Sequence, residues 1–156
     1  MKGAIHQINI SPGGVPKLPI DQAKVTEGGI VGDDHHDKVH HGGPDAALCL
    51  YSLEVIEQLQ GEGHPIFPGA AGENLTVSGL DWVQVTPGTR WQLGEDVEIE
   101  ISGYATPCQN NSGWFRGGEI LRMHQSRHPG ASRVYARVIT PGSLRPGDPV
   151  TPRSGA

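Results

Sequence analysis

Apolar and polar residues alternate in short runs along most of the chain. In residues 4–10, Ile8 and Ile10 flank polar Asn9, and the run closes on Ser11-Pro12-Gly13-Gly14, which reads as a strand entering a turn. Residues 46–51 form a short continuous apolar run, the pattern of a strand covered on both faces. Ser52, followed by Glu54 and then Val55, Ile56 and Leu59, predicts an N-capped short helix ending at Gly61. Further strands are predicted over residues 74–77, 90–93 and 97–101. In the last, Val97, Ile99 and Ile101 share one face and Glu98 and Glu100 the other. A second helix is expected to begin near Gly118 and to run through residues 120–126. Residues 133–139 alternate again and read as the penultimate strand.

Two stretches resemble each other: Pro87-Gly88-Thr89 leading to Gly94-Glu95-Asp96-Val97, and Pro141-Gly142-Ser143 leading to Gly147-Asp148-Pro149-Val150. Their spacings differ, so they read as two similar turns and not as a repeat. The 23 glycines and 13 prolines in 156 residues are nearly twice the usual share of roughly 12%. So many breakers disfavour a helical bundle, while 35% hydrophobic and only 19% charged residues disfavour disorder. A single domain over residues 1–156 is expected, mainly β, with many short strands that would escape exposed edges by closing into a barrel.

The net charge of -5 argues against general nucleic-acid binding but leaves room for a local basic pocket. Cys49 and Cys108, far apart and not in a CxxC arrangement, point to free thiols in a reducing cytosol. Neither a signal-peptide run nor a stretch of roughly 20 apolar residues is present, so a cytoplasmic protein without membrane insertion is expected.

Four segments carry candidate chemistry. Residues 32–44 hold His35, His36, His40 and His41 beside three aspartates, a density that could bind zinc or another divalent ion. The segment lacks helical character and no distant Cys or Glu completes a tetrahedron. It is therefore read in preference as a polar loop, with Gly32, Gly42 and Gly43 allowing unusual backbone angles. Cys108 lies among small polar residues after Pro107, where a thiolate would be a nucleophile or ligand if Arg116 or a histidine lay near; a structural thiol is the other reading. Cys49, between Leu48 and Leu50, reads as a core thiol. In residues 69–76, small residues allow close approach, Asn74 offers a donor and an acceptor, and Glu73 could orient a neighbour; a plain turn into a strand would look the same. Residues 11–17 could cradle an anion with glycine amides and Lys17. GxSxG, GxGxxG after the first strand and HExxH are all absent.

In this order, Ser11-Pro12-Gly13-Gly14-Val15-Pro16-Lys17, Gly32-Asp33 with His40-His41-Gly42-Gly43-Pro44-Asp45, Gly72-Glu73-Asn74-Leu75, Thr106-Pro107-Cys108 and the closing Pro-Gly turn resemble the MOSC domain, the C-terminal module of molybdenum cofactor sulfurases. The resemblance runs from about residue 2 to 151 and is greatest to the stand-alone bacterial members. It implies a distorted closed β-barrel of the pyruvate-kinase β-barrel type with a few short helices. It also implies a pocket for sulfur handling or for the molybdenum cofactor (molybdopterin), in which Cys108 carries a persulfide or ligates molybdenum. His41, Gly42, Gly43, Glu73, Asn74 and Arg116 would line that pocket, with Ser11 and Lys17 near the cofactor's phosphate. Pyridoxal phosphate binding is associated with the family only as a whole. Many relatives carry a basic residue where this chain has Ala46, so Lys17, Arg90 or Arg116 would have to supply that charge.

Two versions of the function follow from the resemblance: sulfur transfer through a Cys108 persulfide, or cofactor-dependent reduction of N-hydroxylated compounds with Cys108 on molybdenum. With neither an aminotransferase-like nor a ferredoxin-like domain in these residues, sulfur or electrons would come from a partner, a cysteine desulfurase-like donor or an electron-transfer protein. A small molecule or the cofactor itself would be the substrate, and a homodimer is left open. The rival of another class is a non-enzymatic metal-binding module built on residues 35–41.

Overall fold

The computed structural model describes residues 2–33 and 43–153. His41, Gly42 and the rest of the histidine-rich stretch at 35–41 lie outside the described residues. In chain order the elements are β1 (Gly3–Ile10), β2 (Leu18–Ile20), β3 (Ala23–Thr26), β4 (Gly29–Ile30), β5 (Leu48–Ser52), α1 (Leu53–Gly61), β6 (Leu75–Ser78), β7 (Arg90–Leu93), β8 (Val97–Tyr104), β9 (Val134–Thr140), β10 (Gly142–Leu144) and β11 (Pro149–Arg153), with short 3-10 turns between some of them.

Seven strands close into a barrel in the order β1-β6-β5-β9-β8-β7-β11 and back to β1, and β2 extends the sheet from β1. The seam pairs Gly3 with Val150 and Ala4 with Pro149. Backbone bonds from Ile5 N to Asp148 O (2.9 Å) and Gly147 N to Ile5 O (2.7 Å) reinforce it. Every pairing is antiparallel except β5–β6, whose parallel register of Leu50 on Leu75 is made possible by α1 crossing between them. Register shifts in β1 and β8 distort the wall. A second small sheet, β10-β3-β4, covers part of the barrel.

The alternating faces land as the pattern requires. Val97, Ile99 and Ile101 are buried with Ile5, Ile8, Leu48, Leu50 and Leu93 in one core, and Trp82 and Trp91 join it. The glutamates of β8 point outward into a cross-strand ribbon of ion pairs: Arg153–Glu98, Glu98–Arg90, Arg90–Glu100, Glu100–Arg137 and Arg137–Asp45. The ribbon reaches the 3-10 turn Pro44–Ala46, where Ser102 also donates to the Asp45 carbonyl. The two look-alike stretches lie beside each other: Gly94 N donates to Pro149 O (2.9 Å), and β11, which begins in the second, pairs with β7, which lies within the first.

Several expectations are revised. The helix expected from Gly118 to residue 126 is replaced by 3-10 turns at Gln109–Trp114, Arg116–Gly118 and Ile120–Met123. Gly117 (φ 68°) and Gly118 (φ 72°) take left-handed angles that end any helix there, and a single turn beyond them cannot repay helix nucleation. The strand at 133–139 is not penultimate, since β10 and β11 both follow it. The strand expected from residue 46 begins at Leu48, and β8 runs on to Tyr104. The cap of α1 is as expected: Ser52 Oγ accepts from Val55 N at 3.2 Å, and Ile56 and Leu59 face the core. Removing that oxygen by Ser52→Ala should cost about 1 kcal/mol in urea denaturation with an unchanged m value.

Candidate functional site

Loops from four parts of the chain meet at one end of the barrel. Their organising group is Asp33, whose side chain is only 5% exposed. Its Oδ1 accepts from Ser11 N (2.9 Å) and Lys17 Nζ (2.6 Å), and its Oδ2 from Lys17 Nζ (2.8 Å) and Asn74 Nδ2 (2.8 Å). Lys17 is itself 4% exposed, so this is a buried ion pair whose carboxylate takes two further hydrogen bonds, from Ser11 N and Asn74 Nδ2. Asn74 is equally committed: Oδ1 accepts from Cys49 N (3.0 Å), while Nδ2 also donates to Asn9 O (3.3 Å). Ser11 closes its own turn, with Oγ donating to Gly13 O (2.7 Å) and accepting from Gly13 N (3.0 Å).

The loop before β6 is packed against this base. Lys17 N donates to Gly69 O (2.9 Å), and a Cβ at Gly69 would lie 2.4 Å from Lys17 O, so only glycine fits there at φ 90°. Glu73 is fully buried; Oε2 accepts from Gly69 N (2.9 Å) and Thr76 Oγ1 (2.8 Å), and Oε1 has no partner among the described residues. Burial pushes this carboxyl above the usual glutamate range, although the bonds from Gly69 and Thr76 oppose the shift.

Cys108 stands on the far lip, half-buried, as the cap of the 3-10 turn Gln109–Trp114. Its backbone N donates to Asn111 Oδ1 (3.2 Å), its Sγ lies 3.8 Å from the same oxygen, and Asn111 N returns a bond to Cys108 O (2.9 Å). Asn111 Nδ2 in turn donates to Ala71 O (3.0 Å), on the loop that also holds Glu73. Arg133 Nη1 takes the same carbonyl at 2.8 Å, and its Nη2 reaches Thr106 O (3.3 Å), two residues before the cysteine. Arg133 is 6% exposed, and its Nε has no partner among the described residues. Cys49 is the contrasting thiol: buried, with burial pushing it up to about 11, it is inert.

Of the residues expected at the site, Ser11, Lys17, Glu73 and Asn74 are thus brought together around Asp33 and the 69–73 loop, with Cys108 joined through Asn111 and Ala71. Gly43 is exposed at φ 84°, at the start of Pro44–Ala46. Arg116 is exposed and stands apart, its backbone N donating to His64 Nδ1 (3.0 Å). Asn111 and Arg133 escaped the sequence reading. Asn111 sits in an unremarkable Asn-Asn-Ser string, and Arg133 is the first residue of an alternating run where an arginine reads as a surface group. No helix among the described residues is long and apolar enough to cross a membrane.

Two variants probe this base. Lys17→Met strands a buried carboxylate and should lower unfolding free energy by about 3–5 kcal/mol, measured by denaturant titration. For Glu73 the sign follows from its raised pKa. The folded state holds the proton more tightly than the unfolded chain, so the stability this group contributes is present at low pH and lost as pH rises past the ordinary glutamate range. Glu73→Gln removes that loss, so its urea midpoint should gain on wild type progressively as pH rises above about 4.5.

A family model for the MOSC domain matches residues 37–151. The uncharacterized protein YflK of Bacillus subtilis strain 168 is 36% identical over 120 residues, 74% of this chain and 52% of its own length. YiiM of Escherichia coli K12 is 30% identical over 138 residues, 85% of this chain and 60% of its own. A protein of Gibberella moniliformis named as a reductase is 28% identical over 127 residues, 79% of this chain but 22% of its own. The chain therefore spans little more than half the length of the two bacterial relatives. The crystal structure of YiiM from Geobacillus stearothermophilus superimposes with a TM-score of 0.75 over 97% of this chain and 75% of its own, at 24% identity, a likeness of fold. With the family model covering most of its length and the barrel shared, the chain belongs to the MOSC domain family.

Proposed function

We propose that Cys108 is the reactive centre of a sulfur-handling protein of the molybdenum-cofactor class, carrying sulfane sulfur as a persulfide. The observation that carries this reading is the contrast between two thiols. Cys49 is buried in the wall, whereas Cys108 is only half-buried, on a lip fixed from beneath by Asn111. A persulfide donor R–S–S⁻ would give its outer sulfur to the Cys108 thiolate and release R–S⁻, and an acceptor would reverse the exchange. Neither direction needs an oxidant. A cysteine desulfurase-like protein fits the donor's role.

The likeness to the fungal protein named as a reductase supports a second reading, in which Cys108 ligates molybdenum and N-hydroxylated compounds are reduced with electrons from a partner. The donor chemistry fits that group: Cys108 offers a soft sulfur on a half-buried residue, and the buried guanidinium of Arg133, which reaches Thr106 O two residues before it, has an Nε with no partner among the described residues. When bound, the molybdenum cofactor would supply two-electron redox chemistry. Lys17, Glu73 and Asn74, engaged inside the protein, would shape the floor beneath it, and Ser11 and Gly43, with His41 and Gly42, would serve its periphery.

Protein incubated with a persulfide donor should take up about one cyanolysable sulfur per chain. Cys108→Ser should take up none and Cys49→Ser should be unaffected; uptake by Cys108→Ser would sink the reading. Stoichiometric molybdenum in protein from a molybdate-fed host, lost in Cys108→Ser, would establish the second reading instead.

A further inference from the structure

A persulfide has two sulfurs that a nucleophile can attack, with different results. Attack on the outer sulfur transfers it and returns the cysteine thiolate. Attack on the inner sulfur, Sγ, releases HS⁻ and leaves the cysteine trapped as a mixed disulfide. A carrier must favour the first. Resting on the persulfide reading above, we propose that Asn111 is a positioning residue that shields the inner sulfur of Cys108, so that nucleophiles reach only the outer one.

The geometry is that of a fixed cap. Asn111 is 1% exposed, and its Oδ1 lies 3.8 Å from Sγ. Non-bonded heavy atoms approach to about 3.5–4.0 Å, so no thiol or water fits between oxygen and sulfur on that side. The carboxamide cannot turn away. Its oxygen holds the Cys108 N–H at 3.2 Å, and its Nδ2 is held by Ala71 O at 3.0 Å. That carbonyl's other lone pair is taken by Arg133 Nη1 at 2.8 Å, so both of its acceptor positions are filled and the loop behind the amide is pinned. With the inner face closed, an outer sulfur bonded at about 2.05 Å from Sγ extends toward the exposed side of this half-buried residue.

The test loads wild type, Asn111→Ala, Asn111→Ser and Asn111→Leu with sulfane sulfur, adds one equivalent of glutathione as the nucleophile, quenches with an alkylating agent, and reads by mass spectrometry whether Cys108 returns as free thiol or carries glutathione. Asn111→Leu refills the space with apolar atoms, whereas Asn111→Ser leaves it open and serves should the alanine variant fail to fold. Wild type and Asn111→Leu should return mainly free thiol. Asn111→Ala and Asn111→Ser should raise the share of mixed disulfide about tenfold. If the alanine and serine variants partition like wild type, or the leucine variant partitions with them, no steric shield is present and the inference is overturned while the carrier reading stands. If wild type takes up no sulfane sulfur, the carrier reading itself falls and takes this inference with it.

Discussion

A carboxylate removed from water must find its hydrogen bonds inside the protein, and Asp33 finds them on three separate segments. One bond comes from the turn after β1, one group is the ammonium of Lys17 at the entry to β2, and the third partner is Asn74 at the entry to β6. None of these can move without leaving charge or a donor unmet in a low-dielectric setting, where the cost is several kcal/mol. The same carboxylate stands where the histidine-rich stretch begins, and Asp45, held by Arg137, stands just beyond where it ends. Asn74 extends the constraint to the Cys49 backbone on β5, so this one group indexes the loops to the wall of the barrel.

A second junction performs the corresponding task for the lip that bears Cys108. The Ala71 carbonyl receives Asn111 and Arg133 together, joining the turn that bears Cys108 to the loop that bears Glu73. The two thiols owe their different characters to these surroundings: Cys49 is enclosed by the wall, and Cys108 is suspended at its edge. Packing and a backbone carbonyl thus give two residues of one type different surroundings.

Strands whose period is two and whose partners bury one face were legible from residues alone; Arg90–Leu93 and the Ser52 cap were placed to the residue. Two- and three-residue strands such as β4 and β10 were not, because so short a segment has no period and forms only when a neighbour supplies its hydrogen bonds. The false helix at 118–126 shows the same limit from the other side, since local apolar content outweighed two glycines whose angles only the fold reveals. At the site, the glycine-flanked motifs were legible because backbone approach demands small residues. Lys17 was read as a ligand for an anion, and the structure shows it engaged with Asp33, a partner sixteen residues away that no local pattern joins to it. Arg133 and Asn111 depend on a carbonyl, and carbonyls leave no trace in a sequence.

The seam between β1 and β11 has a consequence for how the molecule comes together. It joins the first strand to the last, the largest sequence separation available, and the sheet keeps free edges until both are in place. Such contacts are entropically the slowest to form, so closure belongs late in folding, after the β7–β8–β9 meander has assembled from near neighbours. Until that moment the growing sheet offers two open edges to any other chain. Crowding during synthesis, more than weakness of the finished barrel, is therefore where aggregation would begin.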